Sequence, residues 1–151
     1  MTFKIYDNSK IGSGTNAEIF RISPRRVIKV PKLQFCNEIL QNEFGIQSQI
    51  SKAGYPVPKP YGIFPVQISG RGTQNGLFMD FAPGVEARYS PNVLNIMERA
   101  TEIVNQIEES EGIRISPLYG LYPRNVLYDE RSDHITLVDF EEWETPDFQR
   151  R

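Results

Sequence analysis

Two glycines placed between strand patterns limit this fold more than any other feature. Apolar residues from Lys4 to Ile11 lead into Gly12-Ser13-Gly14, and Ala17-Glu18-Ile19-Phe20-Arg21-Ile22 follows with strand character. A dinucleotide-binding crossover or a P-loop needs a helix N-terminus directly after its glycines. A strand stands there instead, so both are disfavoured. A glycine-rich hairpin can still fold over phosphates, because glycine lets the backbone approach closely. Taken alone, the segment is a weak signal, and a flexible β-turn is its plainer reading.

The rest of the chain alternates short strands with two helical patterns. Ser23-Pro24-Arg25-Arg26 reads as a turn and Val27-Ile28-Lys29-Val30 as the next strand. Residues 34–52 read as a helix, with Phe35, Ile39, Ile46 and Ile50 at helical spacing. Glu43 falls on that stripe, whereas Glu38 lies off it. Gly54 to Pro60 is a stiff connector. Tyr61–Phe64 and Leu77–Phe81 read as strands around a polar loop, Ser69 to Gly76. Ala82-Pro83-Gly84 breaks the pattern as a possible hinge. A second helix begins with Ser90 as N-cap and Pro91 in first position. It carries Val93, Ile96, Met97, Ala100, Ile103, Val104 and Ile107 on a wide apolar stripe and stops at Gly112. Glu108, Glu109 and Glu111 oppose its dipole. Asn125–Tyr128 and Ile135–Asp139 flank a turn and form a hairpin. This order predicts an α+β fold.

Composition narrows the functional classes. With 151 residues, 39% of them hydrophobic, the chain suits one domain with a real core. No run approaches the roughly 20 apolar residues of a membrane span, and MTFKIYDNSK lacks the apolar stretch of a secretory signal. An intracellular, cytoplasmic protein is expected. One cysteine, Cys36, excludes an internal disulfide and a cysteine-based zinc site. One histidine, His134, speaks against Cys–His and Ser–His nucleophiles. The net charge of −2 argues against nucleic-acid binding by bulk charge. Trp143 and Phe148 could anchor the tail or a partner.

Four polar residues carry the candidate chemistry. A carboxylate on a buried helix face needs a partner, since an unpaired buried charge is very costly. Lys29, among apolar neighbours on its strand, supplies one for Glu43, and the pair could present an ammonium to phosphates. An edge lysine with its amine in water is the plainer alternative. Asn125 and Asp139 flank the last hairpin. Two oxygen donors beside phosphates suit Mg²⁺, which takes few protein ligands, although a turn asparagine and a strand-end aspartate would look the same.

As an ordered set these residues resemble the protein-kinase-like fold, in its atypical or small-molecule-kinase form. IGSGTNAEIF resembles the glycine-rich loop, VIKV the lysine strand, and Glu43 its helix partner. GLFMDFAPG resembles the linker between lobes, LYGLYPRNVLYD the catalytic loop, and LVDFEEW the metal-binding segment. The match runs from about Ile11 to Trp143. The resemblance implies a five-stranded antiparallel N-lobe sheet with one helix over about 1–81 and a linker over about 82–89. A much reduced C-lobe, one long helix and a hairpin, would occupy about 90–151, all in one domain. It implies nucleotide contacts from Gly12, Ser13, Gly14, Lys29, Glu43, Met79 as gatekeeper, Asp80 and Ala82. Asn125 and Asp139 would hold Mg²⁺, with ATP as the nucleotide.

The chain departs from the family where catalysis is performed. Aligned on Leu121, Pro123 and Asn125, relatives carry an aspartate where Gly120 stands, and Gly120 cannot accept a proton. Leu118 and Tyr122 replace two histidines, Ala17 a third loop glycine, and Glu141 the glycine of the metal segment. Only 12 residues follow Asp139, too few for an acceptor platform. The expectation is a minimal pseudokinase that binds Mg-ATP and acts through protein interaction. One alternative is an active phosphotransferase with a rearranged or partner-supplied base. The other is a nucleotide-free interaction module. The partner would be another protein, or a second copy docked through the 91–110 helix, whose stripe needs a cover.

Overall fold

The polar run Tyr6-Asp7-Asn8-Ser9 interrupts the first apolar stretch, and the chain turns there. The computed structural model describes residues 2–14, 16–32 and 37–146. In it, β1 (Phe3–Ile5) and β2 (Lys10–Ser13) flank a 3-10 turn at Asp7–Ser9. With β3 (Ala17–Ser23), β4 (Arg26–Pro31), β5 (Pro60–Ile68) and β6 (Gly72–Asp80) they form a six-stranded sheet, ordered β1-β5-β6-β4-β3-β2. The expected five-stranded antiparallel sheet is thus corrected to a six-stranded mixed one. β1 pairs in parallel with β5, Phe3 opposite Val66, and the other neighbours are antiparallel. Asp, Asn and Ser favour local side-chain bonds to the backbone over a strand ladder, so one apparent strand becomes two at opposite edges. Flat, those edges would stand roughly 24 Å apart. The four residues between β1 and β2 can bridge about 18 Å at most. The sheet is therefore curled.

Alternation along each strand then sorts the side chains. Ile5, Phe20, Ile28, Val30, Val66, Ile68 and Phe78 form one buried cluster inside the curl. Gly76 is demanded there, because a Cβ would sit 2.5 Å from Ile28 Cγ2. On the other face Val27, Leu77 and Met79 pack with Leu40 of α1 (Asn37–Lys52). The buried stripe of α1 runs through Leu40, Glu43, Gln47 and Ile50, so Leu40 rather than Ile39 leads it. Phe35 and Cys36 lie outside the described residues. The polar segment Ser69–Gly76 is not all loop: β6 begins at Gly72, with Thr73 opposite Gln67 and Gln74 opposite Val66. Polar residues extend a strand wherever one face is left to solvent.

Contacts divide the chain into two compact units, Met1–Gly45 with Lys59–Phe81, and Ile46–Pro58 with Ala82–Arg151. The second unit is built on α2 (Val93–Glu111) and a hairpin of β9 (Val126–Asp129) and β10 (His134–Leu137). Short strands β7 (Val85–Glu86), β8 (Arg114–Ile115) and β11 (Trp143–Glu144) add to it, β7 on β9 and β11 on β8. α2 starts two residues later than its sequence suggests, because Ser90 Oγ accepts the Asn92 N–H in a turn of its own. Ile96, Ala100 and Ile107 are buried with Ile113, Val126, Leu137, Phe140 and Trp143. The stripe of α2 is thus covered by the chain itself and does not by itself call for a second copy. Gly112 ends α2 at φ 69°. Near it, the Tyr55 hydroxyl and the Gln49 amide donate to the Gln106 and Glu111 carbonyls, so neutral donors serve the glutamate-rich last turn. Gly84, expected as a hinge, is held closely: a Cβ there would meet the Tyr128 carbonyl oxygen at 2.6 Å. Phe148 lies outside the described residues, whereas Trp143 is buried.

A charged network closes the curl. Glu18, buried on β3, accepts hydrogen bonds from Lys10 of β2 and from Arg71 at the β5–β6 turn, and Arg71 also reaches Asp7. Arg71 first and Lys10 second hold the Glu18 carboxyl at about 2, against an ordinary 4.5. A carboxyl lowered in the folded state stabilises fully above about pH 5, and that contribution fades as the pH falls through the folded value. Glu18→Gln is expected to lose roughly 2–3 kcal/mol at neutral pH, a deficit that shrinks toward pH 2 in urea titrations run at each pH. A deficit independent of pH would refute this assignment.

Candidate functional site

In the first unit the glycine-rich segment is the β2–β3 hairpin. Gly12 pairs with Ile19 and Ser13 with Glu18, and the Gly14 N–H donates to the Ala17 carbonyl at 2.9 Å. Neither glycine is needed by the fold itself. A Cβ would meet nothing closer than 3.8 Å at Gly12 or 3.9 Å at Gly14, and neither has a positive φ. Their bare backbone is open to a ligand that approaches closely. Lys29 and Val27 share the face of β4 that looks toward α1. There the Lys29 ammonium donates to Glu43 Oε2 at 2.8 Å, with the residues only 6% and 2% exposed. Met79 lies on the same face and is buried. Asp80 ends β6, where its carboxylate accepts from Arg26 and from the Tyr61 hydroxyl, both at 2.7 Å. That side chain is engaged, and the Asp80 N–H donates to the Lys59 carbonyl at 2.9 Å.

In the second unit the Val138 N–H donates to the Asn125 carbonyl at 3.0 Å, one step beyond the Val126–Leu137 pair. Asn125 and Asp139 are thereby brought to neighbouring positions at one end of the hairpin. Asn125 closes a 3-10 turn at Pro123–Asn125. Asp139 is exposed and holds φ at 64°, a left-handed conformation costing roughly 1–2 kcal/mol for most residues other than glycine. Aspartate bears that conformation at lower cost than most residues, as Asp133 also does at φ 53°, and residues held in it recur at functional positions. Its Oδ1 accepts the Glu141 N–H at 3.4 Å. No cluster of three His, Cys, Asp or Glu side chains that could hold a metal occurs among the described residues. An amide oxygen and one carboxylate still fit a cation whose remaining ligands are phosphate and water, as Mg²⁺ prefers. Ala82, of the same unit, is half-buried.

Gly120 is exposed, lacks a positive φ, and has nothing within 4 Å of a built Cβ. A Cβ would fit there, so neither crowding at that atom nor backbone conformation requires glycine. Leu118, Tyr119 and Tyr122 around it are exposed apolar side chains. After Asp139 the chain returns at once, and the Ser116 N–H donates to the Glu142 carbonyl at 2.8 Å. Buried Glu144 is paired with Arg114 at 3.1 Å.

Several site-shaping residues escaped the sequence reading. Glu18 shares the inward face of β3 with Phe20, so the argument that singled out Glu43, applied at a period of two, would have found it. Gln47 stands one helical turn from Glu43 and donates to the Pro58 carbonyl at 2.7 Å. Arg71 carried no local signal, because its partners are distant in sequence.

No family description and no curated protein matches the chain. Among solved structures it is similar to WbdD. A high-resolution crystal structure of WbdD matches with a TM-score of 0.60 at 20% identity, over 89% of this chain and 32% of that one. A medium-resolution structure, described as the bifunctional kinase-methyltransferase WbdD, gives 0.55 at 17% identity, over 88% and 31%. A complex of WbdD with the kinase inhibitor LY294002 gives 0.51 at 16% identity, over 90% and 33%. The chain spans about a third of the length of these structures. Among the described residues no helix is long and apolar enough to cross a membrane. At such identities the likeness speaks to the fold alone, and it supports a distant kinase-like structural relationship to WbdD.

Proposed function

We propose that this chain is a minimal pseudokinase, which binds ATP with Mg²⁺ and acts through protein–protein interaction rather than phosphotransfer. The buried Lys29–Glu43 pair carries this reading. Such pairs are weak stability devices, since well-packed apolar residues often serve as well or better. Keeping one on the face of β4 next to α1 argues that the ammonium is used, with Glu43 orienting it toward phosphates. The unforced glycines Gly12 and Gly14, with Ser13, would let the backbone of the hairpin approach those phosphates closely, and Met79, Asp80 and Ala82 would lie beside the adenine. Asn125 and Asp139 would hold Mg²⁺, which when bound neutralises phosphate charge. Gly120 offers no group to accept a proton from an acceptor hydroxyl, so binding rather than transfer is the output.

Thermal unfolding with and without Mg-ATP tests this, with Asp139→Asn as control because asparagine tolerates the left-handed backbone. At ATP 100-fold above its dissociation constant the gain is about 2.7 kcal/mol, or roughly 5–10 °C for a chain of this size. The rise is expected to need Mg²⁺ and to vanish in the variant. No shift at millimolar ATP would overturn nucleotide binding and leave an interaction module. ATP turnover above background would instead identify an active phosphotransferase.

A further inference from the structure

One end of the first unit's sheet gathers cations from separate parts of the chain. The Phe81 N–H donates to the Arg25 carbonyl and the Asp80 N–H to the Lys59 carbonyl, each at 2.9 Å. These bonds set the Ser23–Arg26 turn, the start of β5 and the end of β6 side by side. Arg21 and Arg26 are pre-organised there. The Arg21 guanidinium lies 4.0 Å over the Phe81 ring and donates to the Ser23 and Pro24 carbonyls. The Arg26 guanidinium lies 4.3 Å over the Tyr61 ring, with the Lys59 ammonium 5.4 Å from the same ring. Among the described residues Asp80 is the one carboxylate in hydrogen-bond contact with this group, and it is taken by Arg26 and Tyr61. Arg25 and Lys59 are exposed and make no ion pair among the described residues. An open hollow lined by Ser23, Pro24, Arg25 and Arg26 sits at the same turn.

The geometry points to this end of the sheet as a docking surface for an acidic polypeptide segment of a partner protein. Four cations, Arg21, Arg25, Arg26 and Lys59, gather at this end of the sheet in a chain whose net charge is −2, and Arg26 alone among them is paired with a carboxylate among the described residues, so the local excess is opposite to the whole. Each guanidinium has five N–H donors; two of Arg21's serve backbone carbonyls, and the rest match carboxylate geometry. Holding these heads in place on rings and carbonyls removes much of the ordering cost of binding. A single-stranded nucleic acid is the less suited polyanion, because it binds by stacking bases on free aromatic faces. Here Tyr61 has two cations over its ring, and Phe81 packs between Arg21 and the Val27–Leu77–Met79 cluster. This surface shares Asp80 with the nucleotide reading, but Arg25 and Lys59, on which its test rests, have no part in that reading.

The test is fluorescence anisotropy of the intact chain with a labelled poly-glutamate peptide and a labelled single-stranded oligodeoxynucleotide of equal length. The peptide is expected to bind at low salt and to weaken as salt rises. Arg25→Ala with Lys59→Ala should weaken it about tenfold or more, while Arg131→Ala, in the β9–β10 turn of the second unit, should match the unaltered chain. Circular dichroism checks that the double variant is folded. Tighter binding of the oligonucleotide than of the peptide, no peptide binding at low salt, or an equal loss in Arg131→Ala would each overturn the proposal.

Discussion

Lys29→Met is expected to destabilise the protein by about 3–5 kcal/mol, because it takes the Lys29 ammonium away from the buried Glu43 carboxylate. In a thermal scan that is a drop of roughly 10 °C or more. Methionine keeps the length and apolar stem of lysine, so lost packing contributes little. Adding Glu43→Leu should restore most of the loss, since two apolar side chains of similar volume replace a desolvated pair. The double variant is also informative about function. Folded but no longer shifted by Mg-ATP, it would separate the role of the pair in binding from its role in stability. A single variant as stable as the unaltered chain would show that Glu43 does not depend on Lys29.

Phe140→Ala should cost a similar amount, about 3–5 kcal/mol, in the other unit. Phe140 is fully buried, with its ring centroid 5.2 Å from that of Trp143 and Leu137 and Ile113 in the same cluster. Its removal opens a cavity directly beside the strained Asp139. Hydrogen exchange should show faster opening of β9 and β10, while β3 and β4, which have their own core, keep their protection. Phe140→Leu should recover most of the loss. Equal loss of protection in β3 and β4 would mean that the two cores open together rather than separately.

How much of this was legible beforehand differs by residue. Glu43 stood out because a helical period places it among apolar neighbours, and Lys29 followed as the charge needed to satisfy it. Gly12 and Gly14 stood out because strand patterns on both sides left only a hairpin. The parallel β1–β5 pairing was not legible, since three residues carry too little pattern to choose an edge. β8 and β11 are two residues each and depend on the return of the chain after Asp139. The basic end of the sheet was read as an ordinary turn, because Lys59 and Phe81 adjoin Arg25 only after β4, β5 and β6 pair.

The sequence by itself determined the α+β class, the places of the two helices, the glycine hairpin and the demand for a buried ion pair. Each follows from periodicity, chain-breaking residues or the cost of an unpaired charge, which are properties of neighbouring residues. Only the tertiary structure decided the sixth strand, the curl of the sheet, the Glu18–Arg71 network, the covering of the α2 stripe and the strained backbone of Asp139. Those depend on which distant segments meet, and the free energy of such meetings is written in packing and hydrogen bonds that no local window of sequence contains.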